Sequence, residues 1–238
     1  MQSSTVRTAR GRKPLKASQA VRATIKARGK QPGNIVFIYG PKVCREWVLR
    51  SNLELAAMLW AESSQEVLSY SCDIDTIWAQ LSLEGYAGSK PDIGFQRYKG
   101  PRGLYEVKYE KDLENDPRAK KQAQIQSQRA SELGYTWNWY TEKDAIRQSV
   151  QLMNWLSINS ALEQFRHLGT ANLQEEIANL VRVSEGLHLA DIYREFQVLP
   201  REEVFVATMR AHQKRQLTIE LAKRPFALSA SVKPWELQ

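Results

Sequence analysis

Two short apolar runs bracket a turn-rich stretch near the middle of the chain, and each run carries an acid. The first is Pro91-Asp92-Ile93-Gly94-Phe95 and the second is Leu104-Tyr105-Glu106-Val107-Lys108. Between them, Gln96 to Gly103 contains two glycines and a proline, which predicts a β-hairpin. This constrains the fold more than any other segment, because it fixes two antiparallel neighbours and the faces of their side chains. Alternation along a strand gives Glu106 and Lys108 one face and turns Val107 to the other. Asp92 and Glu106, on adjacent strands, can then converge. Two carboxylates beside an ammonium suit a hard divalent cation: Mg²⁺ takes oxygen ligands at about 2.0–2.1 Å, usually from one or two carboxylates, and leaves room for water and phosphate. An ammonium next to such an ion can orient or help deprotonate an attacking water. The same residues also suit a surface hairpin held by a cross-strand ion pair.

Upstream, Leu49 to Glu62 reads as a helix that is apolar apart from Glu54 and its ends. Ser51 followed by Glu54 has capping-box spacing, so Glu54 can serve as a reciprocal cap.

The stretch from Leu49 to Ile74, followed by PDIGF, LYEVKY and Tyr135 to Asp144, resembles TnsA. That family is the endonuclease subunit of heteromeric cut-and-paste transposases, in the PD-(D/E)xK nuclease superfamily. The similarity runs in order and spacing from about Gly33 to Asp144, and its most particular part is the Leu-Glu-Leu helix followed by a short strand. The resemblance implies a restriction-endonuclease-like mixed sheet flanked by helices. It matches Glu54 to the family's helix carboxylate, Asp92 to its strand carboxylate, and Glu106 and Lys108 to its final acidic-x-Lys pair. Some TnsA-like chains carry Gln where this one has Glu106. Glu54, Asp92 and Glu106 would hold Mg²⁺, with Mn²⁺ as a substitute, and Lys108 would position or activate water. The implied activity is hydrolysis at the 5′ ends of a transposon. The implied partners are the transposon ends and flanking donor DNA, a TnsB-like transposase that handles the 3′ ends, and a TnsC-like ATP-dependent regulator. A free-standing resolvase- or restriction-like nuclease, or a catalytically silent DNA-binding assembly protein, would share much of this pattern.

Charge adds a second signal. Residues 1–30 hold nine basic side chains and no acid. The formal net charge is +8, so the rest of the chain is near neutral. This arm, taken as residues 1–32, has too few large apolar residues to bury a core and predicts disorder when free. Arg7, Arg10, Arg12, Lys13 and Lys16 within it are candidates for phosphate contacts. The hydrophobic content of 42% suffices for a core in the remainder. No run of eighteen apolar residues exists to cross a membrane, and the N-terminus lacks the apolar stretch of a signal peptide. Cys44 and Cys72 have no C-x-x-C partner, so neither zinc nor a disulfide framework is expected. His167, His188 and His212 are scattered and read as surface or helix-flank residues. A cytoplasmic protein without membrane contact is expected.

Residues 33–146 form the expected nuclease region. Ile35 to Tyr39, Val67 to Tyr70 and Thr76 to Leu81 read as strands, with Asp73 and Asp75 as turn acids. Asp116 and Pro117 predict a helix start and Gly134 its end. Lys120, Lys121 and Gln124 on that helix are candidates to face phosphate. Trp137 and Trp139 alternate with Asn138 as in a strand. From residue 147 to 238 the pattern is three helices and a hairpin, predicting a winged helix. Arg147 to Ser160 forms a helix before it. Asn172 and Glu175 read as a capping box. Leu189, Ile192, Tyr193 and Phe196 have helical spacing. Another helix follows Pro200. Leu217 to Leu221 and Phe226 to Val232 supply the hairpin. Arg210, Lys214, Arg215, Lys223 and Arg224 are candidate DNA contacts there. The resemblance points this region instead towards docking on the TnsC-like regulator.

Overall fold

A computed structural model describes residues 34–82, 85–184 and 186–236. The expected hairpin is present. Strands β6 (Ile93–Arg97) and β7 (Gly103–Val107) pair antiparallel, with Ile93 opposite Tyr105 and Phe95 opposite Gly103. They are the middle of a four-stranded sheet. β3 (Val67–Ser71) flanks β6 antiparallel, and β8 (Thr136–Tyr140) flanks β7 in parallel. A parallel neighbour needs a crossover, which helix α3 (Pro117–Glu132) supplies after the short α2 (Glu110–Asn115). Asp116 caps α3 by accepting from the Arg118 N–H at 2.9 Å. Gly134 beyond its end has φ +69°, the left-handed turn that glycine tolerates best.

Two further hairpins stand outside this sheet: β1 (Val36–Gly40) with β2 (Arg45–Leu49), and β4 (Ile77–Ser82) with β5 (Gly85–Ser89). The helix expected from Leu49 begins later, as α1 (Asn52–Ser63). Leu49 instead completes β2, where Trp47 and Leu49 alternate inward and are both buried. Ser51 caps α1, accepting from the Glu54 N–H at 3.0 Å. α1 covers one sheet face, where Leu53 and Ala57 pack with Val107 and Tyr140. α3 lies against the other, through Ala119, Ile125 and Ala130.

After α4 (Glu142–Arg147), helix α5 (Ser149–Gln164) packs on α1 and carries the fully buried Trp155. One apolar cluster runs from Trp47, Met58 and Phe95 to Trp155, Ile177, Val206 and Val232. Residues on either side of position 146 therefore share a core. The remaining elements are α6 (Ala171–Val183), β9 (Leu187–His188), α7 (Leu189–Glu195), α8 (Arg201–Gln213), β10 (Leu217–Ile219) and β11 (Ser231–Pro234). The last three strands form a small sheet in the order β10-β11-β9.

Three local expectations in this part are corrected. The Asn172–Glu175 box does not form, because α6 already starts at Ala171. Its flank is held by Gln174, whose amide donates to Thr170 Oγ1 at 2.9 Å. The strand expected over Phe226 to Val232 is confined to Ser231–Pro234. The preceding chain is pinned by Asn154, which donates to the carbonyls of Leu221 and Arg224 and accepts from the Phe226 N–H, each at 2.8 Å. His212 is not a surface residue: it is buried on α8 and accepts from the Ile219 N–H at Nδ1. Burial holds it neutral, with its pKa lowered to about 3. No helix among the described residues is long and apolar enough to cross a membrane.

Candidate active site

The sheet brings the hairpin acids together. Asp92 immediately precedes β6, and its N–H donates to the Tyr105 carbonyl at 3.1 Å, next to Glu106 on β7. Asp92 is fixed further by its own carboxylate, which accepts from the Val107 N–H at 2.8 Å. Lys108 follows the end of β7, where its N–H donates to the Tyr140 carbonyl. Its Nζ lies 3.3 Å from Glu106 Oε1, so Glu106 and Lys108 do share a face. Val107 turns to α1 as expected.

Glu54 reaches the site from the first turn of α1. Its carboxylate accepts from the Arg50 N–H at 2.9 Å rather than from that of Ser51. The reciprocal cap is thus displaced by one residue, while Ser51 still caps the Glu54 N–H. The two readings of Glu54 are compatible: it helps cap the helix and its charge is felt at the site.

Electrostatics tie the three acids into one unit. Burial pushes the Glu54 carboxyl above its usual range, and the charge of Asp92 adds to this against the Arg50 N–H bond. Burial likewise raises Asp92, opposed by the Val107 N–H and by Lys108. Glu106 is only 1% exposed. Burial first, and then the charge of Asp92, push it up to about 7 despite its bonds to Gln126 and Lys108. Asp92 is the common neighbour that penalises both other carboxylates.

A divalent cation is the natural counter-charge for such a set, and the donors are hard oxygens of the type Mg²⁺ prefers. The donor chemistry fits. The placement is less tight: among the described residues, no three or more His, Cys, Asp or Glu side chains gather closely enough to enclose an ion. Each of the three carboxylates is instead drawn to a protein donor, namely Arg50 N–H, Val107 N–H, or Gln126 with Lys108.

Gln126 is the residue that sequence reasoning missed. On α3 it is fully buried, and its Nε2 donates to Glu106 Oε2 at 2.7 Å and to Ser89 Oγ at 2.8 Å. Its Oε1 accepts from the Trp137 indole at 2.8 Å. Every polar atom of the amide is used, which fixes the face of Glu106 turned to α3. The signal was available: Gln126 falls in helical register with Ala119, Ala123 and Ala130, a polar side chain on an otherwise small apolar stripe.

The other basic candidates divide. Lys120, Lys121 and Gln124 are exposed on α3. Lys214, Lys223 and Arg224 are exposed in the C-terminal part. Arg210 is not free for DNA, since its guanidinium donates to the carbonyls of Phe165, Arg166 and Leu168 and to Thr170 Oγ1. Arg215 is also engaged, its guanidinium carbon 4.4 Å from the centre of the Tyr98 ring and 4.3 Å from that of Trp235. Arg7, Arg10, Arg12, Lys13 and Lys16 lie outside the described residues.

In comparison with known proteins, the chain matches no family model and no curated protein.

Proposed function

We propose that this chain is a TnsA-like, metal-dependent DNA endonuclease subunit that hydrolyses phosphodiester bonds at the 5′ ends of a transposon. The observation that carries the reading is the 2.8 Å bond from the Val107 N–H to the Asp92 carboxylate, which holds Asp92 against β7 next to Glu106, with Lys108 3.3 Å from Glu106. Glu54 adds a third carboxylate coupled to Asp92. The fold supports it. A mixed sheet whose central hairpin carries the acids, with α1 on one face and α3 on the other, is what a restriction-endonuclease-like core requires. The order α6-β9-α7-α8-β10-β11, with β11 between β10 and β9, supports a winged helix.

Glu54, Asp92 and Glu106 would hold Mg²⁺, or Mn²⁺ in its place, and that ion would polarise the phosphate and acidify a bound water. The chain's own part follows from the geometry. Asp92 is immobilised by the Val107 N–H and Glu106 by Gln126, so neither carboxylate must be ordered when substrate arrives. Glu106 must lose its proton before it can serve as a ligand. Lys108, half-buried beside it, can orient the attacking water and offset charge developing on the phosphate oxygens. The exposed Lys120 and Lys121, together with the basic arm, would hold the DNA backbone. A TnsB-like transposase and, through the C-terminal part, a TnsC-like regulator are the proposed protein partners.

The test is strand-specific cleavage of a labelled transposon end in Mg²⁺, with and without the partner transposase, comparing wild type with Asp92→Ala and Lys108→Ala. Partner-dependent cuts on the 5′ strand that vanish in both variants are expected. Cutting by the subunit alone would point to a free-standing nuclease. Variants that cut as well as wild type would end the catalytic assignment.

A further inference from the structure

The β4–β5 hairpin has two unlike faces. Ala79 and Ser89 turn inward and are buried, and the hairpin rests on α3. Trp78 and Tyr86 turn outward and are 58% and 71% exposed. In the register Trp78 lies opposite Gly88 and Gln80 opposite Tyr86. The two aromatic residues are therefore diagonal neighbours on one face, about 7–8 Å apart and within reach of each other's side chains. A Cβ placed on Gly88 would come within 3.1 Å of two carbons of the Trp78 ring. The indole thus lies flat across a glycine, one ring face on the backbone and the other in solvent. Scattered exposed aromatics need no explanation, but a flattened ring with a second ring beside it is a surface shaped for stacking.

We propose that this hairpin is a stacking platform for unpaired bases of the DNA strand flanking the candidate cleavage site. Its placement beside that site rests on the endonuclease reading; the stacking itself does not. Gly88 is four residues from Asp92, a span of at most about 14 Å of extended chain, or on the order of four base steps along one strand. Ser89, at the end of β5, is bonded to the same Gln126 that holds Glu106, so platform and carboxylates are parts of one frame.

Area favours a nucleic acid over a protein partner. The outward positions Thr76, Trp78, Gln80, Tyr86 and Gly88 are uncharged. Lys90 follows directly, its side chain 54% exposed. Of the nearby acids before β4, Asp73 is bonded to Lys90 at 2.8 Å and lies 3.6 Å from Arg45, while Asp75 is exposed. Two rings among Thr, Gln and Gly fall far short of the roughly 800 Å² per partner that a stable protein interface buries. They are sufficient for bases, each of which offers a π-face to an aromatic ring.

The test uses the full chain in EDTA, with a fluorescent oligothymidine of about 16 nucleotides and a strand of equal length made of abasic spacers. Trp78→Ala and Tyr86→Ala are each expected to weaken oligothymidine binding by about 5- to 100-fold, the range of one lost base stack. Trp78→Phe should retain most of the binding, and the abasic strand should not distinguish the variants from wild type. Equal oligothymidine binding by wild type and Trp78→Ala would overturn the proposal. So would variants that bind DNA normally but change the self-association of the chain in sedimentation, since the face would then meet protein. Loss of stacking without any cleavage by wild type would leave the platform standing and remove the endonuclease reading. Cleavage that needs Asp92 but is indifferent to Trp78 and Tyr86, in binding and in cutting of frayed ends, would do the reverse.

Discussion

Helix α1 carries a half-buried carboxylate near one end and a fully buried one at the other, and the two are treated in opposite ways. Glu62, in the last turn, is 1% exposed and enclosed by donors. Tyr70 Oη donates to it at 2.6 Å, Gln213 Nε2 at 2.7 Å and the Lys42 N–H at 3.2 Å. The Lys42 ammonium caps the same helix end through the carbonyls of Ala61 and Ser64. Burial lowers Lys42 to about 8 and raises Glu62, and each charge partly restores the other. Glu54, eight residues earlier and so about 12 Å along the axis, has one backbone donor and faces another carboxylate. A buried acid that the protein surrounds with donors is structural. One that the protein sets against another acid costs stability, which marks it as a candidate for function.

The largest break in this comparison should come from neutralising the candidate-site end. Asp92→Asn keeps an acceptor for the Val107 N–H but removes the charge shared by both neighbours. Cleavage should fall by about 10³-fold or more, since several kcal/mol of metal-borne stabilisation are lost. The melting temperature should hold or rise. A variant that both loses activity and melts early would make Asp92 structural.

Glu62→Ala should behave in the opposite sense. It strands the Lys42 charge and leaves Tyr70 and Gln213 without an acceptor, so unfolding free energy should drop by about 3 kcal/mol or more. Denaturant titration reads this directly, and a stability within error of wild type would remove the distinction between the helix ends.

Next in size is a pH dependence that belongs to the candidate-site end. The folded chain keeps a proton on Glu106 up to about 7, against 4.5 for an ordinary glutamate. The folded state therefore binds more protons between those values. Its contribution to stability is full below about 4.5 and is lost as pH rises through about 7. At about 1.36 kcal/mol per unit, the loss approaches about 3 kcal/mol. Unfolding titrations across that range without divalent cations should show a steeper decline for wild type than for Glu106→Gln. Parallel curves would mean that Glu106 is not held protonated.

The smallest effect sharpens the comparison. Gln126→Leu leaves Ser89, Trp137 and one Glu106 oxygen unpaired, at a cost of about 1–3 kcal/mol. If Gln126 positions Glu106, cleavage should fall and the pH at half-maximal rate should shift, while Gln126→Glu or Gln126→Leu of a merely structural residue would alter only the melting temperature.

Legibility in the sequence followed the range of the interactions. The β6–β7 hairpin, the start of α3 at Asp116-Pro117 and the strand of alternating tryptophans were all readable, because each depends on residues a few positions apart. β2 and β5 were missed. β2 is five residues directly before a helix cap, and β5 contains two glycines that dilute its alternation. Arg210 and Arg215 looked like free cations because their partners, the 165–170 carbonyls and the rings of Tyr98 and Trp235, are far off in sequence.

By itself the sequence determined which residue types could meet: an acid on one strand, an acid and a lysine on the next, and a carboxylate at a helix start. Periodicity and turn chemistry are local, so they settle faces and registers within a hairpin. Only the tertiary structure decided that the Asp92 charge acts on both Glu54 and Glu106, that Gln126 crosses from α3 to hold Glu106, and that Glu62 is paired with Lys42 while Glu54 is set against Asp92. Those outcomes depend on desolvation and on charges brought close from distant positions in the chain, quantities that exist only once the core has closed.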